Sequence, residues 1–251
     1  MQPSVFEGVD LVYHLAAEIE DPEKMKALQI RGTQNLLEAA KTAGVRRWIQ
    51  LSSVGVYGPP GAQVIHEQTE PAPIGLYEKT KFKADCLVET TCRGSGMEYV
   101  ILRPSNVLGP GMKNQSFFSL VQAVRQRRFF YIGPPGAIAT YVHADDVARA
   151  LIACQQAPSG SIYNLSSDCS WEAIIGQIAS YLGVPAPTTR LPKLPLQLIL
   201  QALDGRVKIP LTISRLNSLT RRAGYSIERI VNELNFSFAK PMPEGIRDLL
   251  P

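Results

Sequence analysis

The sequence predicts an α/β protein, a doubly wound parallel sheet carrying a smaller, mainly helical C-terminal lobe. Three observations predict it. Short apolar runs alternate with amphipathic stretches through the first 165 residues, the pattern of strands in a parallel sheet covered by helices. The 251 residues are 45% apolar and 19% charged, enough to bury a core of ordinary size and unlike a disordered chain. After residue 170 the pattern becomes helical, broken by Pro185, Pro187, Pro192 and Pro195.

Residues 10–17 (DLVYHLAA) form an apolar run of strand length, the pattern of a strand buried on both faces. Residues 23–42 read as a helix, closed by Gly44. Residues 47–53 give a second strand, 77–91 a long helix and 98–103 a third strand. Residues 116–128 read as helix, and 129–132 and 140–143 as short strands. Asp145 or Asp146 is expected to cap a helix at 147–155, and 161–165 is a further strand. The first strand stands out, since an apolar strand with no earlier partner is a long, flat, sticky edge.

Several classes of function are excluded. A net charge of +4 is too mild for nucleic-acid binding without a local patch. The clusters Arg125/Arg127/Arg128 and Arg221/Arg222 sit near helix ends, where they complement the dipole. Cys86, Cys92, Cys154 and Cys169 form no CxxC pair, so a reducing cytoplasmic setting is expected, with Cys86 and Cys154 as small buried side chains. His14, His66 and His143 lie in unlike contexts, so no metal site is expected. Residues 1–7 lack the basic start and apolar core of a signal peptide. The most apolar run, 194–203, is half the length of a membrane span and reads as a helix covering a pocket, with contact to lipid as the other reading.

The chemistry concentrates at Tyr77-Glu-Lys-Thr-Lys81. The i,i+4 spacing puts phenol and amine on one helical face. An ammonium beside a phenol favours the phenolate, lowering its pKa toward working pH for general acid/base catalysis. Ser53 follows the end of the second strand, His14-Leu-Ala-Ala17 ends the first, and 102–110 (LRPSNVLGP) closes the third. In open α/β sheets, ligands gather at such strand ends, so three of them converge on one crevice. Small side chains at Ala16 and Ala17 would let a flat molecule approach the backbone. Trp48 and Trp171 read as packing side chains, and His143 as a packed or hydrogen-bonded group at a strand end.

From about Gly8 to about Leu250 the chain resembles an extended short-chain dehydrogenase/reductase of the NAD-dependent epimerase/dehydratase type. The likeness is carried by His14-Leu-Ala-Ala17, 32–40 (GTQNLLEAA), Ser52-Ser53 with Val56-Tyr-Gly58, Tyr77-x-x-x-Lys81, Arg103-Pro through Gly109-Pro110, and 141–148 (YVHADDVA). The resemblance implies a Rossmann-like domain at 1–165 that binds NAD or NADP, with 109–143 contributing to a substrate lobe whose main part is 166–251. It implies that Tyr77 is the acid/base, that Lys81 tunes it and holds the nicotinamide ribose, and that Ser53 orients the substrate. Leu15, Ala16, Ala17, Ser52 and Pro104 would line the cofactor, and Asn106 would face the substrate. The substrate implied is a small molecule of the nucleotide-sugar kind, with epimerisation or simple dehydrogenation at a hydroxyl carbon. Steroid- or flavonoid-type reduction and a catalytically silent chain are the alternatives. Some relatives pair as homodimers through helices, which extends here by analogy.

The departures are as informative. The family's opening strand, glycine-rich turn and helix, which cradle the pyrophosphate on free N–H groups, are not seen. The expectation is therefore an N-terminally truncated sheet with weakened cofactor binding. About sixty residues of βαβ structure would complete it. Gly55, Gly58 and Gly61 match a Gly-x-x-Gly-x-x-Gly spacing, but Pro59 and Pro60 supply no donors and no helix follows, so the match is a decoy. Val54 and Gly55 stand where the family's dehydratases carry Asp-Glu, which argues against water elimination. Gln29 replaces a frequent Asn, and 137–140 (AIAT) lacks a diphosphate-binding arginine.

Overall fold

A computed structural model describes residues 3–59, 63–112, 114–202 and 211–250. The chain forms two compact units. Unit 1 comprises Met1–Ser105, Asp146–Ser166 and Tyr225–Ser237, and unit 2 comprises Asn106–Asp145, Ser167–Gly224 and Phe238–Pro251. The sequence reading divides the chain once, at 165/166, with 109–143 lent to the lobe. In the structure the chain also returns to unit 1 at Tyr225–Ser237. There the helix Glu228–Leu234 is held by Tyr163 donating to Glu233 at 2.6 Å and Arg229 donating to the Ile162 carbonyl at 3.2 Å.

Unit 1 is built on a parallel sheet in which β1 (Leu11–His14), β2 (Arg47–Leu51), β3 (Glu98–Pro104) and β4 (Ser161–Leu165) lie side by side in chain order. The register runs Leu11↔Arg47, Arg47↔Glu98 and Val100↔Ser161. Trp48, Ile49, Val100, Ile101 and Leu102 are wholly buried, as expected of strands covered on both faces. β1 is the edge of the described sheet and is four residues long rather than eight. Leu51, the last residue of β2, lies one position beyond the His14↔Gln50 pair, so residues 15–17 leave the ladder.

The helix expected at 23–42 runs as α1 (Pro22–Lys26), a π-helical stretch (Ala27–Gly32) and α2 (Thr33–Thr42). Asp21 caps its start by accepting the Glu23 and Lys24 amides, with Pro22 at the first position. α3 (Leu76–Cys92) starts where the Glu78 carboxylate accepts the amides of Ile74 and Gly75. Leu37 and Ala40 of α2 and Val88 and Cys92 of α3 close over Trp48 in one apolar cluster. Each large side chain buried there contributes about 1.5–3 kcal/mol.

In unit 2 the helices Gln115–Arg125 and Trp171–Leu182 supply Phe117, Val121, Trp171, Ile174 and Ile178 to an apolar core. Asn106–Leu108 pairs in parallel with Tyr141–His143, and the remaining strand pairs are two residues long. The expected cap at Asp145 or Asp146 is replaced. The helix Ala144–Ala153 begins three residues before the expected start at 147, and the His143 ring accepts the Asp145 amide at 3.1 Å. His143, Trp48 and Trp171 are buried, as read from the sequence. Cys154 is buried and Cys86 only half-buried, and all four cysteines are free thiols.

The apolar run 194–203 lies in the helix Lys193–Ala202, with Leu203 outside the described residues. Leu200 packs with Ile132 and Leu216, while Leu194, Leu198 and Ile199 are exposed. Among the described residues, no helix is long and apolar enough to cross a membrane.

Candidate active site

Because the unit 1 sheet is parallel, His14, Leu51, Pro104 and Leu165 end their strands along one edge, where ligands collect in open α/β folds. The sequence-predicted residues follow from this. Leu15, Ala16 and Ala17 leave β1 exposed to solvent. Ser52 and Ser53 continue β2, and Pro104 is the buried last residue of β3. Lys81 reaches the same edge from α3 and donates to the Leu51 carbonyl at 2.8 Å. Tyr77 lies one turn earlier on α3, its ring centroid 6.0 Å from Lys81 Nζ. Asn106 opens the first strand of unit 2, where its amide donates to the Thr140 carbonyl at 3.1 Å.

Ser53 has extended backbone and caps a 3-10 turn, Val54–Tyr57, its Oγ accepting the Gly55 amide at 3.1 Å. The hydroxyl proton is thereby left to point elsewhere. Gly58 is required here, since at φ +68° a side chain would place its Cβ 2.0 Å from the Ala72 carbonyl oxygen. A Cβ at Gly55 would meet Glu78 at 3.0 Å. Gly58 thus serves close packing of two loop segments and Gly55 close packing of the loop against α3. Pro60 and Gly61 lie outside the described residues.

Electrostatics around Lys81 differ in one respect from the sequence expectation. Burial pushes the Lys81 ammonium down to about 8, with Asp85 pulling it back up. Tyr77 is pushed up by burial, not lowered by the ammonium. The geometry explains this: the lysine side chain is drawn to the Leu51 carbonyl and its charge lies 6.0 Å from the phenol ring centre. His14 is pushed down, chiefly by burial and further by Lys81. Its ring meets Gln50 Oε1 at 3.1 Å, and that oxygen also accepts the Trp48 indole N–H. An oxygen already facing an N–H donor leaves the His14 Nδ1 as the protonated nitrogen.

A buried polar chain behind these groups was not read from the sequence. Ser52 donates to Asp85 at 2.8 Å, and Arg103 donates to the same carboxylate oxygen through Nε and Nη2 at 3.3 and 3.1 Å. Arg103 also donates to Tyr57, which donates to Asn164. The available signal was twofold: Asp85 continues the face of Tyr77 and Lys81 by another i+4 step, and Arg103 follows the apolar run Val100–Leu102 inside the strand EYVILRP. Ser52, expected to line a cofactor, has its hydroxyl committed inward to Asp85.

The residues fit the nicotinamide half of a dinucleotide. Lys81 makes one hydrogen bond from three donors. The small, exposed Ala16 and Ala17 allow close approach. Ser105, next after Pro104, has a buried Oγ without a partner among the described residues.

Residues 4–166 match the NAD dependent epimerase/dehydratase family. The chain is 30% identical over 187 residues to the dTDP-D-glucose 4,6-dehydratase of Mus musculus, covering 70% of this chain and 52% of that protein. It is 26% identical over 276 residues to the Arabidopsis thaliana 3beta-hydroxysteroid-dehydrogenase/decarboxylase isoform 1, covering 96% of this chain and 62% of that one. The chain thus spans about half the length of the curated relatives it matches. Among solved structures it is similar to the UDP-glucuronic acid 4-epimerase from Bacillus cereus, solved with UDP-glucuronic acid and NAD. That likeness has a TM-score of 0.74 at 21% identity and covers 98% of this chain and 76% of that one, a similarity of fold. With the parallel sheet, the strand-end serines and the Tyr77-x-x-x-Lys81 helix in place, the chain belongs to the NAD dependent epimerase/dehydratase family.

Proposed function

We propose that the chain carries the catalytic half of an NAD- or NADP-dependent oxidoreductase or epimerase acting at a hydroxyl or keto carbon. The observation supporting this most is the placement of Lys81 against the end of β2, one helical turn from Tyr77 and next to Ser52-Ser53. Nicotinamide, when bound, supplies the hydride chemistry. Tyr77 handles the proton of the substrate oxygen. Held as a neutral phenol by burial, it starts as a proton donor, which suits reduction of a ketone. Ser53 turns its unused hydroxyl proton to the same oxygen. Lys81, an ammonium at neutral pH, holds ribose hydroxyls with its remaining donors and stabilises the phenolate after transfer. Leu15, Ala16, Ala17 and Pro104 line the ring's path, Ser52 supports them from behind, and Asn106 is the substrate residue that the family resemblance implies. Four free thiols suit a reducing compartment such as the cytosol.

Dehydration by the Asp-Glu route is disfavoured, because Val54 and Gly55 stand at those two positions, and the Glu78 carboxylate packed against Gly55 is engaged by the Ile74 and Gly75 amides. For the substrate, the nucleotide-sugar reading follows the sugar-acting relatives. A sterol alcohol is the second reading, favoured by one observation. Similarity to the hydroxysteroid enzyme extends over 96% of the chain, against 70% for the sugar dehydratase. The buried, uncharged Ala137, Ala139 and Thr140 agree with it, since they offer a diphosphate no cation.

The test is a two-arm assay following NADH and NADPH absorbance with UDP-glucuronic acid in one arm and a 3β-hydroxysteroid and its ketone in the other. Turnover in either arm supports the reading and chooses the substrate class. Absence of turnover in both, with cofactor bound, would overturn it.

A further inference from the structure

We propose that Asp85 is a positioning residue that clamps α3 to the end of β2 and, through its charge, holds Lys81 in the ammonium form. The inference rests on the reading of Tyr77 and Lys81 above, but its geometry stands on its own. Successive turns of α3 present Tyr77, Lys81 and Asp85 on one face. Lys81 grips the Leu51 carbonyl at 2.8 Å, and Asp85 grips the Ser52 hydroxyl at 2.8 Å. Two neighbouring residues of one strand end are therefore tied to two neighbouring turns of one helix. A slide of α3 along β2 would break both bonds at once. The next residue of the strand end is Ser53 and the preceding turn of the helix holds Tyr77, so the clamp sets the register between those two groups.

The carboxylate can do this because it is itself held. Asp85 and Arg103 are only 2% and 3% exposed in their side chains, and their ion pair spans 3.1 Å. Oδ2 of Asp85 accepts all three bonds, from Ser52 and twice from Arg103, while Oδ1 is buried without a partner among the described residues. One oxygen is fixed and the other is open to bear either a charge or a proton. The groups facing this centre are few. They are Arg103 of β3, Tyr57 of the 3-10 turn, His14 of β1, and Tyr77, Lys81 and the half-buried Cys86 of α3. Gln29, buried in the π-helical stretch, brings no charge. Glu67 also bears on Tyr57 and accepts the Asn164 amide at 2.9 Å, so Asp85 is the carboxylate that bears on Lys81 itself. Removing it would leave Lys81 and Arg103, both buried, without the carboxylate that acts on each of them.

The experiment follows the Lys81 Cε resonance by NMR in the ¹³C-lysine-labelled chain from pH 6 to 10.5, assigned by Lys81→Arg. The wild-type midpoint is expected near 8, where burial and Asp85 together place it. Asp85→Asn should lower that midpoint about tenfold in proton affinity, the effect of removing an opposite charge one turn away. Asp85→Glu should restore most of it. In turnover, Asp85→Asn should move the alkaline limb of kcat to lower pH with a smaller change in KM. If Asp85→Asn does not fold, the reciprocal measurement serves. Lys81→Met should raise the midpoint of the Asp85 carboxyl carbon, which in the wild type lies at about 6, because coupling between two titrating sites is mutual. An unmoved Lys81 midpoint in Asp85→Asn, or an unmoved Asp85 midpoint in Lys81→Met, would overturn the proposal. A moved midpoint in a chain that turns over neither substrate class would keep the clamp and discard the catalytic reading.

Discussion

Near its N-terminal end the unit 1 sheet is packed by Trp48, Leu37, Val88 and Cys92 with no charged side chain in the cluster. A few residues further along the same strands and helix, the buried side chains are Gln50, Ser52, Lys81, Asp85 and Arg103. Both regions are dry, and both are formed by β2, β3 and α3. They differ in what burial does. At the apolar end burial is a direct source of stability. At the polar end every charge removed from water must find a partner, and most do so within one network. The contrast teaches where this fold keeps its chemistry. The apolar end holds the elements together, and the polar end uses that rigidity to hold ionisable groups at shifted pKa values.

The sharpest way to break the comparison is to remove one partner from each end. Arg103→Met leaves Asp85 as an uncompensated buried carboxylate and should cost about 3–5 kcal/mol in denaturant unfolding. Adding Asp85→Asn to it should return part of that stability, since a neutral pair no longer carries a stranded charge. A double variant no more stable than the single would mean that the polar end is held by packing alone.

A second consequence is a stability profile with two opposed limbs. Asp85 is raised by burial to about 6 against the pull of Arg103, so the folded state binds its proton more tightly than the unfolded chain does. Its contribution to stability therefore falls as pH rises from about 4 to 6. Lys81 is lowered to about 8, so its contribution rises as pH climbs from 8 to 10.5. Unfolding free energy measured against pH should show these two slopes in the wild type and lose the upper one in Lys81→Met. The smallest effect belongs to an apolar site of β2 outside both regions, where Ile49→Val removes one methylene from a wholly buried position. It should cost about 0.5–1.5 kcal/mol with no change in the pH profile.

The parts legible in the sequence are those set by local pattern. The strands at 47–51, 98–104 and 161–165 are apolar runs of strand length, and α3 lies within a residue of its expected bounds. Tyr77, Lys81 and Ser53 were singled out by spacing and by their place after strand ends. What was missed depends on tertiary context. Asp85 was not singled out in the sequence, and the packing of α3 on β3 turns it inward to Arg103. The direction of the Tyr77 shift was misjudged because i,i+4 spacing fixes a shared face but not where a long lysine side chain goes, and here it goes to Leu51. The π-helical stretch 27–32 has no sequence signature in the residues around Gln29. The return of Tyr225–Ser237 to unit 1 is a long-range event carried by Tyr163 and Glu233.

The account stands on Tyr77 moving a proton while Lys81 holds its charge close by. A single-turnover experiment with Tyr77→Phe, run with saturating dinucleotide and whichever substrate class the wild type accepts, tests this most directly. The hydride-transfer step should slow by about 10²–10⁴-fold while the dissociation constant of the dinucleotide stays within about twofold, as expected for loss of a positioned acid. A phenylalanine variant transferring hydride at the wild-type rate would contradict it.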